Sequence, residues 1–244
     1  MSGPCRLIVF SLFAVQMHSQ QTYVTQFDAF AGYTYLNSLH VGFAEHGFHT
    51  QFGANVWTWL SVGFDYSVST GDLTLTPDLL LPSLQQLLAA QLAQLAAAGL
   101  LPPGYKLAIP VSSLTQTFAG GPQFAFRHWK TVTIFVRPSV GLVRESATPH
   151  ATDPINAAVI AQLAPSGTKR DTTPFYGFGG GVDLNFSRHV GVRIQGDFVR
   201  DHLFSDLLKD SRNTVRLSVG PCFNFGRNIR APASVKQSTR THAD

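Results

Sequence analysis

The sequence predicts an all-β fold: an eight-stranded antiparallel transmembrane β-barrel built as an up-and-down meander. Three observations predict it. Eight segments alternate apolar and polar residues with a period of two, the signature of strands with one apolar face. Charged residues are only 13% of the 244-residue chain while hydrophobic residues are 44%, so charge has been replaced by glycine (21 residues), Ser, Thr and Gln rather than by apolar bulk. Finally, the connections between segments are either very short or long. An aromatic content of 11%, with 19 Phe, argues against a disordered chain. The near absence of runs of about 20 apolar residues argues against a helical membrane bundle.

Each strand is justified by its own alternation. The first sets Phe27, Ala29, Ala31, Tyr33 and Tyr35 against Asp28, Phe30, Gly32 and Thr34. The second sets Phe48, Phe52, Ala54 and Val56 against His49, Gln51, Gly53 and Asn55. The third is the clearest, with Leu60, Val62, Phe64, Tyr66 and Val68 opposite Ser61, Gly63, Asp65, Ser67 and Ser69. In the fourth, Phe118, Phe124 and Phe126 oppose Thr117, Gly121, Gln123 and Arg127; in the fifth, Val132, Ile134, Val136, Val140 and Leu142 oppose Thr133, Arg137, Ser139 and Gly141. The sixth places Tyr176, Phe178, Val182, Leu184 and Phe186 opposite Gly177, Gly179, Gly181, Asp183 and Asn185. The seventh places Val190, Val192, Ile194 and Phe198 opposite Gly191, Arg193, Gln195 and Asp197. The last sets Val215, Leu217, Val219, Phe223 and Phe225 against Thr214, Arg216, Ser218, Gly220, Cys222 and Asn224.

The polar face holds Gly, Ser, Thr, Gln and isolated Asp or Arg, without a lysine. That is a poor surface for water but a good lining for a narrow lumen, so the apolar face is expected to meet lipid. The inward charges must then be paired, because an isolated buried charge is costly. Asp28, Asp65, Asp183 and Asp197 are expected to pair with Arg127, Arg137, Arg193 and Arg216 as a lumen charge network.

Tight turns are expected at Thr58-Trp59, His128-Trp129-Lys130 and Ser187-Arg188-His189, and long loops at 38–46, 71–113, 146–172 and 203–210. Short turns on one rim and long loops on the other place both termini on the periplasmic side of an outer membrane. Trp57, Trp59 and Trp129 lie at the turns and predict an aromatic belt at the membrane interface. Pro122, Pro138 and Pro221 interrupt strands that have no free edge, and bulges or strand ends are expected there. Leu79 to Leu101 is apolar, but Pro82 and Gln85, Gln86, Gln91 and Gln94 argue against a membrane span. A helix over 84–98 in the second outer loop is expected instead, with Leu84, Leu87, Leu88, Leu92 and Leu95 on one side.

Residues 1–20 read as a signal peptide, with Arg6, an apolar stretch Leu7 to Val15, and cleavage near Ser19. The barrel is then expected over 21–226, followed by a basic disordered periplasmic tail at 227–244. Arg227, Arg230, Lys236 and Arg240 in that tail supply most of the net charge of +4, so no basic face for nucleic acid is expected. Cys5 and Cys222, at opposite ends of the chain, offer no disulfide framework.

The segments FDAFAGYTYLNS, NVWTWLSVGFDYS and VRLSVGPCFNFG resemble the OmpA-like/OmpX-like eight-stranded outer-membrane barrel domain, over about residues 23–226. The resemblance implies outer-membrane lipids as surroundings. It also implies a closing strand ending in an aromatic residue read by the barrel-insertion machinery; Phe225 matches, although 19 residues follow it. No peptidoglycan-binding domain of the kind attached to OmpA is expected in so short a tail.

For chemistry, Ser38, His40, His46, His49, Glu145, His150 and His202 lie toward the outer rim, yet no barrel-hydrolase motif accompanies them. His40, His46 and His49 without a nearby Cys or carboxylate are a weak metal set. The glycine run Tyr176 to Gly181 lacks the following helix N-terminus that a phosphate cradle needs. Neither catalytic residues nor a metal or cofactor are therefore expected. The function expected is structural, or surface recognition and adhesion through the loops at 71–113 and 146–172, toward an extracellular ligand. A narrow porin-like channel for small solutes is the alternative, and an outer-membrane lipid-modifying hydrolase a second.

Overall fold

The computed structural model describes residues 21–38, 42–209 and 212–229. The expected signal peptide, most of the basic tail and His40 lie outside the described residues. The strands are β1 (Thr25–Ser38), β2 (Phe43–Asn55), β3 (Leu60–Leu75), β4 (Ile109–Phe126), β5 (Val132–Pro149), β6 (Lys169–Asn185), β7 (Val190–Asp201) and β8 (Arg212–Asn228). Each pairs antiparallel with its sequence neighbour, and β8 pairs with β1 to close the barrel. Closure leaves no sheet edge, so the ladder satisfies backbone groups that lipid could not.

Side chains sort as the alternation requires. Phe64, Val140, Phe178 and Leu217 are 55%, 66%, 58% and 53% exposed on the outer face. Their inward neighbours Asp65 and Arg216 are 1% and 2% exposed. The outward apolar band runs over Leu60–Val68 on β3, Phe118–Phe126 on β4 and Val190–Phe198 on β7, roughly nine residues each, the length that a tilted transmembrane strand needs.

The strands do not stop where that band ends. β3 continues to Leu75 and β4 already begins at Ile109, so the second connection is 76–108 and not 71–113. Likewise β5 runs to Pro149 and β6 starts at Lys169, which shortens the expected 146–172 loop to 150–168. β2 begins at Phe43, so the first outer connection is a short one at 39–42. The reason is an inversion of polarity. Above the band the period of two persists, but Leu73, Leu75, Ile109 and Val111 now point inward while Asp72, Thr74 and Ser112 point outward. There the barrel wall is built like that of a water-soluble protein.

Two helices cover this end. α1 (Pro82–Ala97) lies in the second outer loop, starting at a proline suited to the first helical position. Leu88 is buried and Leu84 and Leu92 pack beside it, whereas Leu87 is 51% exposed and does not join that side. α2 (Pro154–Leu163), in the third outer loop, was not expected. Asp153 caps it, accepting from the N–H groups of Ile155 at 2.9 Å and Asn156 at 2.8 Å. The Tyr105 hydroxyl reaches Asn156 Oδ1 at 3.0 Å and the Asp153 carboxylate at 3.2 Å, tying the two loops together. Burial and that carboxylate push the Tyr105 phenol above its ordinary pKa. Leu80, Leu88, Leu107, Ile109, Val111 and Val159 form the core of the cap.

The three prolines correct an expectation. None creates a bulge. On the β4–β5 ladder, Gly120 pairs with Val140 and Phe124 with Val136, in one register, with a gap between where Pro122 and Pro138 stand opposite each other. Pro221 sits in a like gap on the β8–β1 ladder, between the pairs Cys222–Phe30 and Val219–Tyr33. All three keep their pairing on the other side, with Val62, Phe178 and Val192. In an antiparallel strand the N–H and C=O of one residue point to the same neighbour; a proline therefore silences one ladder without disturbing the other. The register shift in β1–β8 lies instead between Thr25 and Phe27. It is next to Gly226, whose φ of +90° suits glycine.

Replacing Phe64 with Arg should destabilise the inserted barrel by about 2–4 kcal/mol, the cost of a cation near the bilayer midplane. The inward Ser61→Thr change should be nearly silent. Both are read from urea titrations in vesicles and from the mobility difference between unboiled and boiled protein on a denaturing gel.

Candidate functional site: the plugged lumen and the outer chamber

The narrow interior is filled by two ion clusters stacked along the barrel axis. Toward the short-turn end, Arg193 donates through Nε to Asp183 Oδ1 at 2.6 Å and through Nη2 to Asp28 Oδ1 at 3.3 Å. Its Nη1 reaches Gln51 Oε1 at 3.0 Å, and Gln51 donates to Gln123 at 3.0 Å. The guanidinium carbon lies 4.8 Å from the Phe135 ring centroid and 5.9 Å from that of Phe30, so aromatic rings close the remaining space around the charge.

One layer further out, Arg137 and Arg216 share Asp65 and Asp197. Arg137 lies 2.5 Å from Asp65 and 3.4 Å from Asp197; Arg216 lies 2.9 Å from Asp197 and 3.4 Å from Asp65. These four residues come from β3, β5, β7 and β8, so the cluster ties opposite walls. His49 completes it, 3.0 Å from Ser218 Oγ with its other nitrogen 3.7 Å from Asp65. Glycines make the room. A Cβ on Gly53 would collide with the Asp28 carboxylate, and one on Gly179 with that of Asp197.

Arg127 departs from the expected network. It lies one residue beyond β4, and its guanidinium donates to neutral acceptors: the Thr58 carbonyl at 3.0 Å, Asn55 Oδ1 at 3.1 Å and Thr133 Oγ1 at 3.4 Å. It laces the short turns together. Among the described residues the arginines paired in the lumen are Arg137, Arg193 and Arg216. The buried amides and acid Gln51, Gln123, Gln195 and Glu45 were not expected as network members. Their inward register was readable, and it was their lack of charge, or for Glu45 its place in an assumed loop, that hid them. Glu45 accepts from Ser113 and Thr115 at 2.8 Å each.

At the short-turn rim, Trp57 stacks on Trp59 at 5.4 Å, and Trp59 on Phe124 at 6.1 Å. Trp129 lies in the β4–β5 turn, edge-on to His128 at 5.7 Å. Phe225 packs against Phe27 at 5.7 Å and Phe52 at 6.1 Å on the outer face.

A closed eight-stranded wall, greasy outside and ion-paired inside, has one solvent that fits it. The chain is a transmembrane β-barrel of eight antiparallel strands. Among the described residues no helix is long and apolar enough to cross a membrane. No family model matches its sequence, and no curated protein matches it. In solved structures the barrel is similar to the attachment invasion locus protein Ail of Yersinia pestis, at 9% identity and a TM-score of 0.47 over 83% of this chain and 99% of that one. It is likewise similar to Neisserial surface protein A, at 12% identity and 0.47 over 82% and 96%. Similarity to the outer membrane protein OprG of Pseudomonas aeruginosa is 8% and 0.47 over 85% and 99%.

The candidate chemical groups of the barrel are dispersed. His46 bonds to Tyr33 on the outer face while His49 lies in the lumen, and among the described residues no cluster of His, Cys, Asp or Glu could hold a metal. Ser38 is buried against Thr214 at 2.9 Å. Glu145 is buried beneath the cap, and His202 is exposed in the β7–β8 connection. His150 Nε2 meets Ser112 Oγ at 3.0 Å, but Ser112 donates its proton to Asp72 at 2.9 Å. The carboxylate thus holds the serine and not the imidazole, which is not the order of a hydrolytic relay.

Arg216→Met should destabilise the barrel by about 3–5 kcal/mol, because Asp65 and Asp197 would each lose a buried partner. Lys169→Met removes a more exposed pair with Asp206 and should change stability by less than about 1 kcal/mol. Gly179→Val should behave like the arginine variant by displacing Asp197. Urea unfolding in vesicles compares the three.

Proposed function

We propose that this barrel is a non-conducting surface protein that recognises an extracellular ligand through its outer cap. One observation carries the reading: above a lumen filled by ion pairs, the strands invert their polarity and, with α1 and α2, support an ordered cap with its own apolar core. A barrel that served only to tie the envelope together would need no such structure. Residues 1–20 serve as the export signal in this reading, Phe225 as the residue met by the insertion machinery, and the basic tail as a solvated periplasmic end. The plug supports a closed lumen over a porin-like one, since conduction would require both ion clusters to open.

In planar bilayers the protein should show conductance no higher than background. Cells displaying it should capture a soluble host or environmental ligand, and replacing residues 76–108 by a short linker should abolish capture while unboiled protein still migrates as a folded barrel. Steady conductance from the unaltered protein, or undiminished capture without 76–108, would overturn the proposal.

A further inference from the structure

We propose that the space enclosed beneath the cap binds a small neutral apolar molecule, of the size and chemistry of an alkylbenzene. This deepens the recognition reading by naming a ligand class, and it rests on the cap being the recognising element.

The chamber sits inside the outer end of the barrel, directly above the ion-pair plug. Its cavity volume is about 80 Å³, and it is partly open to solvent. Its walls are the inward residues produced by the polarity inversion, among them Leu73, Ile109 and Val111, and its roof includes Ile160, Leu163 and Leu207. That roof is clasped by a two-residue bridge between Leu80 and Leu208, with Leu81 N–H donating to the Leu207 carbonyl at 2.8 Å. The clasp joins the second and fourth outer loops, which have no other reason in the barrel ladder to meet. A single short bridge is easily opened and reclosed, as a lid over an entry path requires.

The lining decides the ligand. Among the described residues only Ser113, Glu145 and Lys169 bring polar side chains to it, and Lys169 is paired with Asp206. Among the described residues no unpaired cation lines the chamber to hold a carboxylate, and a buried acid, Glu145, stands in its wall, so a neutral ligand is preferred over an anionic one. Apolar cavities of this kind stay dry and take apolar guests, because water there would have too few partners. The lower lumen offers the contrast: its space is filled by guanidinium, carboxylate and amide groups. A guest entering from outside therefore stops in the chamber, which makes the site a receptor and not a passage.

The test uses the full chain refolded into lipid nanodiscs, with isotope-labelled isoleucine methyls observed by NMR while toluene is added. Ile109 and Ile160 line the chamber, whereas Ile134 and Ile194 face lipid. The chamber methyls should shift saturably, and the lipid-facing methyls only linearly, as toluene partitions into the bilayer. Benzoate should give no saturable shift. Filling the chamber with Ala164→Phe should weaken the saturable response at least about tenfold, the equivalent of about 1.4 kcal/mol. Ala147→Met provides a second filling variant should the first disturb folding. The proposal is overturned if Ile109 and Ile160 follow the same linear course as Ile134 and Ile194, or if both filled variants, folded by gel mobility, bind toluene as before. Loss of toluene binding in those variants with cap-dependent ligand capture intact would remove the chamber as the recognition site and leave the cap reading standing; loss of both supports the two together.

Discussion

Everything in this barrel follows from the pairing of β8 with β1. In hydrocarbon an unpaired backbone group has no solvent to turn to, so the ladder must close on itself. Eight strands close around a space only wide enough for side chains. Once that width is fixed, the inward acids cannot ionise separately in water; they are obliged to find arginines across the bore, as Asp65 and Asp197 do with Arg137 and Arg216. Gly53 and Gly179 are the other half of the same constraint, since a carboxylate lying against the wall leaves no volume for a Cβ opposite it.

The second organising feature is that single strands serve two solvents. β3 is lipid-facing from Leu60 to Val68, then turns its apolar residues inward at Leu73 and Leu75 without changing conformation or register with β4. The membrane boundary is thus written as a change of phase in the alternation, not as a loop. It produces two different interiors on one scaffold, one ionic and one aliphatic, and the division between them lies near Thr115, Thr117 and Val143.

What the sequence revealed and what it hid follow from this. The lipid-facing bands, the three tight turns and the inward orientation of Asp28, Asp65, Asp183 and Asp197 were legible because each rests on local alternation. The strand extensions were not, because the inversion removes the exposed apolar face that marks a membrane strand. Leu73, Leu75, Ile109 and Val111 therefore read as loop residues. α2 carried a usable local signal, Asp153 followed by Pro154 at the first helical position, but a loop assignment over 146–172 masked it. The partners of Arg127 could not be read at all: whether a side chain just past a strand end meets an acid or a carbonyl depends on how neighbouring turns fold over the rim. Nor could Pro122 and Pro138 be known to face each other until the register was fixed.

Those prolines shape the mechanics of the wall. Pro122 and Pro138 interrupt the β4–β5 seam at the middle of the lipid-facing band, and Pro221 interrupts the β8–β1 seam at the same depth. In a ring of eight strands these seams lie diametrically opposite. The barrel is therefore two half-shells, β1–β4 and β5–β8, each continuously bonded within itself and joined along two weakened lines. Across those same two lines run the ion pairs of Asp65 with Arg137 and Arg216 and of Asp28 with Arg193, so what the backbone leaves unbonded in the wall is spanned by side chains through the bore.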